Sequence, residues 1–259
     1  MNRTRLFGIA FSIAMLTGYH AQSQSKIGSL IKKVTPAKQT KATGPAATTS
    51  TTPPTTLEIG MGIKEALEAG ISRGADLLSA KDGYLGNIAV KILFPPEMQK
   101  VEKTLRSVGL GSLADNVITS MNRAAEDAAK EAKPIFVAAI KQMTITDATN
   151  ILLGSQNSAT EYFKKATTAQ LTEKFRPVIT ASLNKVGATK YWGDATTQYN
   201  KLPLVKRVST NLPDYATQKA IDGMFVQVAQ EELTIRSNLG GARSSTLLQK
   251  VFGYADQKK

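Results

Sequence analysis

Residues 111–143, GSLADNVITSMNRAAEDAAKEAKPIFVAAIKQM, decide the fold. Leu113, Val117, Met121, Ala124/Ala125, Ala128, Ala132, Ile135/Phe136, Ala139/Ile140 and Met143 recur every three or four positions. A helix turns once per about 3.6 residues, so this spacing gathers them on one stripe. The stripe needs a partner, and the alanines at its middle let another backbone come close. It reads as the central element of a bundle, packed on several sides. Pro134 lacks an amide hydrogen and its ring clashes with the carbonyl of Lys130, which predicts a kink or break over 130–134.

Downstream, Thr146 is placed to cap a short helix ending at Gly154, and Asn157 or Ser158 to open the next. Thr167-Thr168 offers another start for TAQLTEKFRPVITASLNKVG, with Leu171, Phe175, Val178/Ile179, Leu183 and Val186 as its stripe and a second kink at Pro177. Pro203 closes ATKYWGDATTQYNKLP. A long helix starts at Pro213-Asp214 and ends near Asn238; GGARSS reads as a flexible joint before the terminal helix SSTLLQKVFG.

Upstream, PPEMQKVEKTLRSVG carries proline in its first turn and Gly109 as its stop, with Ser112 placed to cap the central element. IAVKILFPP has no strand partner and reads as a buried extended strap, because the residue before proline avoids the helical region. In LEIGMGIKEALEAGISRGADLLSA, Ile59/Met61, Ile63, Leu67, Ile71 and Leu77/Leu78 share a face; Gly60, Gly62, Gly70 and Gly74 either admit a close neighbour or loosen the helix. The expected fold is all-α: a multi-helix bundle of about eight or nine helices with one short extended strap. It spans residues 57–253 and precedes a tail over 254–259.

The N-terminus differs. MNRTRLFGIAFSIAMLTGYHAQSQS has Arg3 and Arg5, an apolar run from Leu6 to Leu16, then small and polar residues, which is the layout of a secretory signal peptide over residues 1–23. The run is short for a bilayer span, and Ala21 and Ser23 suit the cleavage positions. Residues 24–56 read as a basic, Thr/Pro-rich disordered linker, with Ile27, Leu30, Ile31 and Val34 at helical spacing near its start. Export to the periplasm or cell envelope as a soluble protein follows. Residues 1–56 hold seven Lys/Arg and no acidic group, leaving 26 basic against 20 acidic groups beyond them. The linker is thus placed to contact anionic surfaces such as lipid or lipopolysaccharide.

The chain has no cysteine, and its one histidine, His20, lies within the expected signal. Ser-His-Asp and Cys-His nucleophile systems are therefore excluded from the processed chain, as is any zinc site built on imidazole or thiolate. No cofactor or metal is implied: GLGS lacks the lysine and setting of a phosphate loop, and Glu126/Asp127/Glu131 lack calcium-loop spacing. Nucleic acid is not expected as a partner.

Taken in order, SMNRAAEDAAKEAKPIFVAAIKQMTITDATNILLG, ATEYFKKATTAQLTEKFRPVI, YNKLP, LPDYATQKAIDGMF, EELTIR and LLQKVFG resemble the bacterial exported proteins of domain-of-unknown-function family 4197, DUF4197. The resemblance covers about residues 63–253 and implies an all-helical, exported protein with no activity, substrate or catalytic residue to carry over. Many members have a cysteine after the signal, as lipoproteins do, and this chain has none.

Polar residues left over are the candidates for a site. Asn122, Arg123 and Glu126 form a knot on the central helix; it is either an ion-pair ladder or a buried anchor in which Arg123 meets Asp222, Glu231 or an anionic ligand. On the last long helix, Asp222 and Arg236 are two heptads apart, which places them on a shared face. Arg176, Tyr162 and Tyr215 complete the candidate ligand-binding set, since aromatics with a few polar groups make either a cleft for an amphipathic ligand or a packed core. The expected role is binding or structural, with an envelope protein or amphipathic ligand as partner. A lipid carrier and a carboxylate-dependent hydrolase are the alternatives.

Overall fold

The computed structural model describes residues 52–258, apart from 202, 205 and 206; the expected signal peptide and nearly all of the expected linker lie outside the described residues. Among the described residues the fold is all-α, with nine α-helices and no strand. They are α1 (Thr56–Ser79), α2 (Gln99–Ser107), α3 (Gly111–Ala129), α4 (Ala132–Gln142), α5 (Ile145–Leu153), α6 (Ser158–Lys185), α7 (Ala188–Tyr199), α8 (Leu212–Arg236) and α9 (Thr246–Asp256). None of them is long and apolar enough to cross a membrane.

The expected centre is there. α3 packs against α1, α2, α4, α6, α7 and α8, and Met121, Ala124, Ala125 and Ala128 are fully buried. The break predicted at Pro134 falls at Lys130–Glu131, so the proline sits in the first turn of α4, where its missing amide costs no helical bond. α4 turns Phe136 into the core, edge-on to Phe163 of α6 at 5.2 Å and to Phe225 of α8 at 6.2 Å. Such edge-to-face pairs add about 0.5–1.5 kcal/mol each beyond their buried area.

Two glycines of α1 serve close packing. A Cβ on Gly62 would lie 2.9 Å from Val251 of α9, and one on Gly74 would lie 3.2 Å from Gln227 of α8. α2 ends in a Schellman motif: Gly109 adopts φ +83°, and the Leu110 amide donates to the Leu105 carbonyl at 2.8 Å.

Four local expectations are corrected. α6 runs as one helix through the second start expected at Thr167-Thr168 and carries Pro177 within it. Pro177 lies on the exposed face, where water can satisfy the carbonyl of Glu173 that it leaves without a donor. Ser112 does not cap α3, whose N-cap is Leu110. Thr144, not Thr146, caps α5, through a reciprocal capping box with Asp147. GGARSS is no loose joint: buried Arg243 donates to the carbonyls of Ile235 and Arg236 at the end of α8, and pairs with Asp256 of α9 at 2.5 Å. α9 itself continues to Asp256, into the expected tail.

Candidate functional site

The polar residues of α3 are organised by the connection over 80–95, here called the strap; of the stretch expected to be buried and extended, residues 88–90 instead form a turn, with the Val90 and Lys91 amides donating to the Asn87 carbonyl and Ile88 exposed. The strap has no ladder partner, as expected, and buries Tyr84, Val90, Ile92 and Phe94. Its backbone groups need partners inside the core, and α3 supplies them as side chains. Asn122, fully buried, accepts from the Ile92 amide at 2.8 Å and donates to the Ile92 carbonyl at 2.8 Å and to the Ile118 carbonyl at 2.8 Å. One side-chain amide thus imitates a neighbouring strand. One turn on, Glu126 Oε1 accepts the Tyr84 and Leu85 amides, each at 3.1 Å.

Arg123 closes this clamp from outside. Its guanidinium donates to Glu126 Oε2 at 2.6 Å and to Asp82 Oδ1 at 2.7 Å, joining α3 to the turn that opens the strap. The Glu126 contact, then that to Asp82, holds the guanidinium above its ordinary pKa. Neither Asp222 nor Glu231 meets it, contrary to the pairing read from sequence: Asp222 is bound to Gln218 and Lys219, and Glu231 to Arg73. Both acids lie on α8 and find nearer cations.

α8 holds the strap from its other side. Tyr84, wholly buried, donates its hydroxyl to the Ala220 carbonyl at 2.7 Å; burial first, and then the Glu126 charge, pushes its pKa far up. Tyr215 donates to the Leu93 carbonyl at 2.8 Å, and its pKa is pushed up to about 12, chiefly by burial and secondarily by the charges of Glu97 and Asp222. Gly223 lets the strap come this close, for a Cβ there would lie 2.8 Å from Tyr84 Cε1.

A second polar cluster joins three helix ends. Glu232 accepts the Ala159 and Thr160 amides at 3.0 and 2.9 Å, which gives the N-terminus of α6 an anionic cap. Arg236 pairs with Glu232 at 2.8 Å and donates to the Ile151 and Leu152 carbonyls at the C-terminus of α5. Both side chains are about 95% buried, so each charge is compensated by its partner and by a helix dipole of opposite sign. A narrow cleft beside them is lined by Ile63, Leu67, Ile151, Ile235 and Phe252. It has room for water rather than for a ligand of the size that fills pockets of about 300 Å³ or more.

The candidate residues do not converge on one place. Asn122, Arg123, Glu126 and Tyr215 meet at the strap, while Arg236 stands at the α5–α6–α8 junction. Asp222 is exposed and Arg236 buried beneath the ends of α5 and α6, so the side of α8 they share does not bring them into one site. Tyr162 donates to the Ala139 carbonyl at 3.1 Å, and Arg176 pairs with Asp214 at 2.7 Å on the surface. The aromatics pack on one another: Trp192 stacks on Tyr215 at 6.1 Å and lies 5.5 Å from Phe94 of the strap. Sequence reasoning missed Asp82, Tyr84 and Gly223; the DGYLGN turn holds the first two, but nothing local points to their partners on α3 and α8.

A family model described as "Protein of unknown function (DUF4197)" matches residues 54–253. No curated protein and no solved structure matches this chain.

Proposed function

The chain belongs to the DUF4197 family, and from that premise we propose that it is a non-catalytic, exported helical protein of the cell envelope that works through surface contacts. The observation that carries this reading is how the polar side chains are used. Asn122, Glu126, Tyr84, Tyr215, Glu232 and Arg236 each bind backbone groups of another element. A general base or nucleophile must reach a substrate, and these groups are already committed to holding the fold. The N-terminal layout of cation, apolar run and small residues supports export.

Two measurements on the full chain test this. Native mass spectrometry should return the bare polypeptide mass, and esterase, glycosidase and phosphatase substrates should not turn over. A stoichiometric co-purifying ligand, or a turnover that Asp222→Asn or Glu126→Gln abolishes, would overturn the reading.

A further inference from the structure

The folded part's excess positive charge is confined to one segment. Residues 174–207 hold seven Lys/Arg and one Asp, whereas the other positions from 57 to 259 hold 19 basic and 19 acidic residues. That segment is the C-terminal half of α6, all of α7 and the start of the following loop. Lys174, Arg176, Lys185, Lys190, Lys201 and Arg207 are all exposed, and Arg176 pairs with Asp214.

Lys174 and Lys185 are eleven residues apart on α6, close to three helical turns, so the two lie along one stripe of it, while Lys190 stands in the first turn of α7 and Lys201 just beyond its end. Apolar side chains stand out beside them: Val186 at the α6–α7 turn is 56% exposed, Tyr191 56%, and Leu204 fully exposed. Gly187, at φ +70°, makes that turn tight, and a Cβ on it would lie 3.5 Å from the Tyr191 ring.

We propose that the α6–α7 hairpin, with the exposed Lys201, Leu204 and Arg207 that follow it, forms a docking surface for an anionic lipid bilayer. Cations at the level of the headgroups draw the protein to an anionic surface, and protruding aliphatic and tyrosine side chains enter the interfacial layer. A purely polyanionic partner would use the lysines but leave Val186, Tyr191 and Leu204 in water. The inference rests on the surface-acting reading above and assigns its partner.

Co-sedimentation of the full chain with vesicles of phosphatidylcholine and phosphatidylglycerol tests it. Replacing Lys185, Lys190 and Lys201 with Gln should weaken binding on the order of 100-fold at low salt, at roughly fivefold per cation. The same number of changes in the linker, Lys26, Lys32 and Lys33 to Gln, should cost much less. Tyr191→Ser with Leu204→Asn, both exposed and Asn suited to the positive φ of 62° at position 204, should weaken vesicle binding and leave binding to dextran sulfate unchanged. Overturning results are binding lost with the linker lysines and kept without the hairpin ones, no binding to anionic vesicles, or binding to dextran sulfate or an oligonucleotide that is as tight as to vesicles and indifferent to Tyr191 and Leu204. None of these would bear on whether the chain turns over substrates, so the two readings fail separately.

Discussion

Removing the Asn122 side chain should be among the most damaging single changes in the core. Asn122→Ala deletes three hydrogen bonds of 2.8 Å and leaves the Ile92 amide and carbonyl without their partner at a residue that is 2% exposed. Each bond contributes about 0.5–1.5 kcal/mol net, and each dry backbone group left unpaired costs about 1–3 kcal/mol. Part of the second cost already contains the first, so a loss of about 3–5 kcal/mol is expected. For a folded part of this size that lowers Tm by about 6–20 °C. Urea unfolding followed by circular dichroism gives the free energy, and hydrogen exchange at the Ile92 amide reports the strap itself. Asn122→Leu separates lost volume from lost bonding: it fills the space, still strands Ile92, and should cost nearly as much. The reasoning is refuted if both variants lose less than about 1 kcal/mol and the Ile92 amide keeps its protection.

Three further outcomes follow from the same contacts. Gly223→Ala places a Cβ against Tyr84 and Val90, and because Tyr84 is tied to the Ala220 carbonyl it should destabilise by about 1–3 kcal/mol, read as a lower urea midpoint with unchanged slope. Arg236→Met leaves Glu232 buried without its cation and should cost about 3–5 kcal/mol, while the double variant with Glu232→Leu should cost less than the sum of the single ones in a double-mutant cycle. Glu58 forms a capping box with Thr55 at the start of α1 and pairs with Lys250 of α9 at 2.7 Å. Its carboxyl is held down at about 2, from an ordinary 4.5, by Lys250 first and then by Thr55. A folded pKa below the unfolded one gives stability that is complete above the unfolded value and lost as pH falls through the folded one. The Tm difference between this chain and Glu58→Gln should therefore be constant at neutral pH and vanish between about pH 4.5 and about pH 2.

Sequence alone determined what near neighbours dictate. Three- and four-residue periodicity marked the helices, Pro95-Pro96 marked the strap's end, and Pro134 in a run of alanines marked the division between α3 and α4. The same arguments failed where the outcome turned on surroundings. α6 runs on through the start expected at Thr167-Thr168, and GGARSS is held because Arg243 reaches the end of α8 and Asp256 of α9. Tertiary structure alone decided the partners: Arg123 takes Asp82 rather than Asp222 or Glu231, and Asn122 takes a backbone 30 residues away. A helix's apolar stripe follows from residues within a turn or two of one another and can be read off the chain. Which polar group satisfies a buried amide depends on which faces of distant segments meet, and the packing of all the helices together sets that.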